Sequence, residues 1–162
     1  MSQLFSCHQR CNMNYYMVVN HRNSKDLHPT NTPTDFMVEL PDYIDTTNCK
    51  LGLCEWNITG IDNSVYVYCD LLDGQDSVVH GKHLPLLRYI SSAKKRTEIK
   101  NIYMMNTVKH PSVKRFRIYL TSDNQEPIES DDSKTSSVSL LSTRPKIKVQ
   151  LVLKLEKYLY KG

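Results

Sequence analysis

Lys146-Ile147-Lys148-Val149-Gln150-Leu151-Val152-Leu153-Lys154-Leu155-Glu156 alternates almost without fault. Ile147, Val149, Leu151, Leu153 and Leu155 share one face; Lys146, Lys148, Gln150, Lys154 and Glu156 share the other. Only Val152 breaks the polar row. A period of two sustained this long is a strand with one buried face. Burying each of the five apolar side chains is worth roughly 1.5–3 kcal/mol before entropy is charged against it. A one-residue slip would turn the whole set to water, so the register is strongly specified.

The same period recurs upstream. In 115–123, RFRIYLTSD, Phe116, Ile118 and Leu120 oppose Arg115, Arg117 and Tyr119. In 64–72, SVYVYCDLL, Val65, Val67, Cys69 and Leu71 point inward and Tyr66, Tyr68 and Asp70 outward. In 35–40, DFMVEL, Phe36, Val38 and Leu40 oppose Asp35 and Glu39. Less regular strand candidates are YYMVV from residue 15, KLGLCEWNITG, HLPLLRYI, KNIYMMNTV and VSLL. Turn signals separate the runs: His28-Pro29, Thr32-Pro33, Leu40-Pro41, Asp73-Gly74, His110-Pro111, Asp123-Asn124, Glu126-Pro127 and Arg144-Pro145. No segment carries a convincing 3.6-residue period. The sequence therefore predicts an all-β fold: a single jelly-roll sandwich of about eight antiparallel strands in two sheets. An immunoglobulin-like sandwich fits the alternation too, but the connections are long and no Cys–Trp–Cys set stands at immunoglobulin spacing. We expect a flexible N-terminal arm over residues 1–14 and one jelly-roll domain over 15–160.

Composition narrows the function. The 162 residues suit one domain. They include 40% hydrophobic and 23% charged residues, which is globular and not disordered. A net charge of +4 is too small for a dedicated nucleic-acid binder. Lys94, Lys95, Arg96 and Lys100 cluster, but the acidic stretch from Asp123 to Asp132 interrupts any continuous basic face. No specific nucleic-acid partner is expected. Five cysteines, an odd number, argue against a disulfide framework, and a reducing, intracellular folding environment is the simplest reading. No apolar run is long enough to span a membrane.

Chemistry-bearing patterns are sparse. Cys7-His8-x-x-Cys11 has tolerable spacing for two zinc ligands, with His21 and His28 as conceivable completions. No second Cys or His pair stands at zinc-finger spacing, so no metal is assigned. No Gly-x-Ser-x-Gly elbow and no glycine-rich phosphate loop occur. His80 and His83 flank Gly81-Lys82, where solvated loop positions are the ordinary reading. Asp131-Asp132 lies in the Ser-rich ESDDSKTSS, a weak calcium pattern. The expectation is no enzyme, no catalytic residue and no cofactor. Tyr66 and Tyr68, alternating outward, suit an interface. Trp56, and Arg88 at the end of a Leu-Leu-Arg run, join them as candidate lateral contacts.

Several segments, in order, resemble one family. They are Pro29-Thr30-Asn31-Thr32, Phe36-Met37-Val38-Glu39-Leu40-Pro41, Leu53-Cys54-Glu55-Trp56-Asn57-Ile58, Val65 to Leu72, Pro85 to Ile90, RFRIYLTSDNQEPI and VQLVLKL. This series is similar to the penton-type minor capsid proteins of Polinton (Maverick) elements and the related adintoviruses. It covers roughly residues 15 to 156. The resemblance implies a homopentameric capsomer at the fivefold vertex of a virion, set in a shell of a double jelly-roll major capsid protein. Cys54-Glu55-Trp56 departs from the family's usual Gly and Val neighbours, and the loop near Ser133 is longer. A trimeric ligand of the tumour-necrosis-factor type and a ligand-binding jelly roll are the alternatives. The first wants a signal or membrane anchor, and the second wants His and carboxylate groups among the inward positions.

Overall fold

The computed structural model describes residues 12–93, 106–129 and 146–158. Ten strands are found there: β1 (Asn12–Val19), β2 (Asp35–Asp45), β3 (Cys49–Thr59), β4 (Val65–Cys69), β5 (Val78–Val79), β6 (Lys82–His83), β7 (Leu86–Ile90), β8 (Asn106–Thr107), β9 (Ser112–Thr121) and β10 (Lys148–Tyr158). One short 3₁₀ turn, Gly74–Asp76, is capped by the Asp73 side chain. No helix among the described residues is long and apolar enough to cross a membrane.

Two four-stranded antiparallel sheets face each other, in the orders β1-β10-β3-β8 and β2-β9-β4-β7. Setting aside the small β5–β6 hairpin, the pairing is nested. β1 takes β10, β2 takes β9, β3 takes β8 and β4 takes β7. The chain is thus one long antiparallel hairpin, rolled so that β10 also meets β3 and β9 also meets β4. That is the jelly roll. Its connectivity separates it from the immunoglobulin sandwich, which alternation alone could not do.

The predicted inward rows line the space between the sheets. Val149, Leu151, Leu153 and Leu155 of β10 are buried, and Ile147 packs against them. Phe116, Ile118 and Leu120 of β9 and Val65, Val67 and Cys69 of β4 meet them from the other sheet. Burial pushes the Cys69 thiol up to about 12, so this cysteine behaves as a small apolar side chain. At the end of β3 the chain turns through Gly60 at φ +82. A Cβ there would sit 2.9 Å from the Lys146 carbonyl oxygen, so both the conformation and the close approach require glycine.

Two expectations change in detail, and others fall outside the described residues. β1 starts at Asn12, so residues 12–14 of the expected arm belong to a strand. The rest of the arm, with Cys7-His8-x-x-Cys11, lies outside the described residues. So do the basic cluster 94–100, most of KNIYMMNTV, and the Ser-rich loop with VSLL. The His80-Gly81 segment, read as an open loop, is the turn of the β5–β6 hairpin. Both residues have positive φ, +47 and +78, which matches the twist of the two strands it joins.

Candidate interaction surface

The outer face of the β2-β9-β4-β7 sheet is built from the residues between the inward ones. On β4, Tyr66 and Tyr68 alternate with Val65, Val67 and Cys69. Register then sets their neighbours. Tyr66 lies opposite Tyr89 of β7, and Tyr68 opposite Tyr119 of β9. Tyr119 in turn lies opposite Asp35 of β2. Arg117 sits two residues before Tyr119 on the same face.

The rings form a column across the sheet. Centroids are 4.8 Å apart for Tyr89–Tyr66, 6.4 Å for Tyr66–Tyr68 and 4.8 Å for Tyr68–Tyr119. The Arg117 guanidinium lies 5.1 Å from the Tyr119 centroid. It also grips Asp35 in a bidentate pair, Nε to Oδ1 at 2.7 Å and Nη2 to Oδ2 at 2.6 Å. That pair raises the Arg117 pKa further above its usual range. Both partners are about half exposed, so the pair contributes at most about 1 kcal/mol.

The column differs along its length. The turn after β9, closed by Gln125 N–H to the Ser122 carbonyl at 2.9 Å, folds over Tyr68. Gln125 holds φ +60, and its Oε1 accepts from the Tyr68 hydroxyl at 2.6 Å. Tyr68 is left 1% exposed. Burial raises the Tyr68 phenol, against the lowering effect of the hydrogen bond it donates to Gln125, and burial likewise raises Tyr119 and Tyr66. All three phenols are therefore neutral around pH 7 and serve as rings and donors. At the other end Tyr89 is 47% exposed, and His80 of the β5–β6 turn tilts against Tyr66 at 5.9 Å. Beside the column, Asn31, Arg117, Tyr119, Gln125 and Ile128 line a groove of about 700 Å³.

The four sequence-derived contact candidates separate. Tyr66 and Tyr68 come together as adjacent members of the column, but Tyr68 is sealed within the subunit. Trp56 is on the other sheet and points into the core at 6% exposure, which removes it as a lateral contact. The cause is a bulge. Val152 pairs with Glu55 and Leu153 with Leu53, leaving Cys54 as an extra residue on β3. Counting by twos from Leu51 and Leu53 sends Trp56 outward; the extra residue turns it in. Its indole N–H finds no hydrogen-bond partner among the described residues. Arg88 is half-buried on β7 opposite Val67, beside a second irregularity in the β4–β7 register.

Sequence reasoning missed Tyr89 and Tyr119 as ring partners. The available signal was register: once β4 is flanked by β7 and β9, tyrosines at matching outward positions must meet. His28 contacts Glu39 at 3.2 Å. Among the described residues no three His, Cys, Asp or Glu side chains are grouped to hold a metal.

The second sheet's partner, the outer face of β1-β10-β3, presents another kind of surface. Tyr16 and Val18 of β1 are 64% and 57% exposed. Val18 lies opposite Val152, and Tyr16 opposite Lys154. The one apolar residue that interrupts the polar row of β10, half-buried Val152, thus lies beside the exposed apolar strip of β1.

Fold and surface together define a single jelly-roll domain with a packed interior and aromatic or apolar patches on both outer faces. No protein-family model and no curated protein matches this chain.

Proposed function

We propose that this protein is a structural capsid protein. Five copies form the vertex capsomer of an icosahedral shell built mainly from a double jelly-roll major capsid protein. The reading is supported chiefly by the strand order: one complete jelly roll whose inward positions are Val, Leu, Ile and Phe. A dry interior leaves its business to its outer surfaces. The penton-like segments fall on that framework. Phe36 to Pro41 lies in β2, Leu53 to Ile58 in β3, Val65 to Cys69 in β4, and Val149 to Leu155 in β10. The subunit then acts by assembling and has no catalytic step of its own.

Native mass by light scattering tests this. With a subunit of 18.8 kDa, five copies give 94 kDa. A stable three-copy particle would replace the vertex reading with that of a trimeric ligand-type jelly roll. A single-copy protein that a shell of the major capsid protein fails to recruit would also remove the vertex reading, since no vertex would then hold it.

A further inference from the structure

We infer that copies of this chain join head to tail, with the Tyr16–Val18–Val152 patch of one copy against the Tyr66–Tyr89 patch of the next. The inference rests on the self-assembly reading above and names the surfaces that carry it.

Placement is the first ground. Among the described residues β1 ends one sheet and β7 ends the other. β3 touches β7 across the sandwich, so the β8 side of one sheet overlies the β7 side of the other. The β1 patch and the β7 patch therefore sit on opposite faces and at opposite lateral ends of the subunit. They cannot cover each other within one copy. A twofold contact through either patch leaves the other in water. A head-to-tail contact covers both, and it closes into a ring when its rotation fits.

Chemistry is the second ground. β1, Asn-Met-Asn-Tyr-Tyr-Met-Val-Val, contains no charged residue in a chain that is 23% charged. It contains no proline, and its register with β10 runs unbroken from Asn12 to Val19. Charge, proline and bulges are among the usual protections of an edge strand, and β1, an edge among the described residues, has none of these three. The opposing patch is also uncharged at its centre, two tyrosine rings with exposed Val78 on the neighbouring hairpin. Lys154, opposite Tyr16, and Glu55, opposite Val152, border the β1 patch. Lys154 is already paired with Glu156 at 3.0 Å, so a contact here covers a partnered charge, and tyrosine is favoured at such contacts.

The test uses the full chain with Val18→Lys, Tyr89→Lys and, as a control, Tyr43→Lys. Tyr43 is 72% exposed on β2 and lies in neither patch. Native mass is followed over a concentration series, with circular dichroism melts to confirm folding. Val18→Lys and Tyr89→Lys should each weaken association on the order of 100-fold or more, and Tyr43→Lys should not. An equimolar mixture of Val18→Lys and Tyr89→Lys should give a two-subunit particle, because each contributes one intact patch. Where melting shows a lost fold, Tyr16→Lys and Tyr89→Ser replace the first two. A five-subunit wild type whose patch variants keep that mass overturns this contact and leaves the vertex reading standing. A three-subunit wild type that both variants dissociate supports the contact and removes the vertex reading. A wild type of one-subunit mass at every concentration, or a mixture that stays monomeric, overturns the inference.

Discussion

The two outer faces of the sandwich use tyrosine in opposite ways. On the β2-β9-β4-β7 face, Tyr68 and Tyr119 stack against each other, Arg117 covers one end and Gln125 closes over the top. On the β1-β10-β3 face, Tyr16 stands out beside Val18. The first arrangement packs its rings, and the Tyr68 hydroxyl, inside the subunit. The second leaves apolar area in water, the kind of surface that contiguous patches offer to other molecules. A residue type does not mark an interface; what the neighbouring strands and loops do to that residue decides.

The sharpest way to break this contrast is to truncate one tyrosine from each face. Tyr68→Ala should cost about 3–5 kcal/mol, as removing a large buried aromatic does. Urea denaturation of the single subunit measures it. A cost below about 1 kcal/mol would mean that Tyr68 is surface like Tyr16. Tyr68→Phe isolates the hydroxyl. It keeps the stack but leaves the Gln125 amide oxygen without its donor, and it should cost about 1–3 kcal/mol by the same measurement. Arg117→Met removes the half-exposed pair with Asp35 and the cation over Tyr119, and it should cost about 1 kcal/mol or less. Tyr16→Ala should change subunit stability by no more than about 0.5 kcal/mol, although association should suffer.

The last prediction concerns the seam between the sheets and not either face. Lys157 of β10 hydrogen-bonds Asp45 of β2, and with the Thr47 N–H it holds the Asp45 carboxyl down to about 2 from 3.8. A depressed carboxylate contributes stability that is fully present above its unfolded pKa and lost as pH falls through its folded one. Melting temperature should therefore carry a small drop between pH 4 and pH 2 that Asp45→Asn lacks. Parallel curves for both proteins in that window would show that the pair contributes nothing.

How much was legible follows from where the period of two held. β10, β4, β9 from Arg115 to Leu120 and the first half of β2 keep their alternation, and their inward residues could be read off one by one. β3 could not be read through, because Cys54 is an extra residue that only its pairing with β10 reveals. Trp56, offered as a lateral contact, is turned inward by that extra residue. Arg88 sits beside the comparable irregularity on β7. Tyr68 was correctly placed on the outer face, but its burial depends on a turn more than fifty residues away, which local pattern cannot see. Val152 went the other way. Its break in the polar row was visible at once, and its partner Val18 emerged only with the β1–β10 register.

The nested strand order also has a temporal side. β1 is made early, and its sheet neighbour β10 is made last of the described strands, about 130 residues later. At ordinary translation speeds that interval is on the order of ten seconds. Throughout it an uncharged, proline-free strand waits with both edges open, in a cell where many ribosomes on one message hold identical strands close together. The time before a subunit exists is therefore when this chain is most exposed to mispairing with its own copies. A holdase that engages Asn12–Val19 on the nascent chain would protect yield without altering the finished fold.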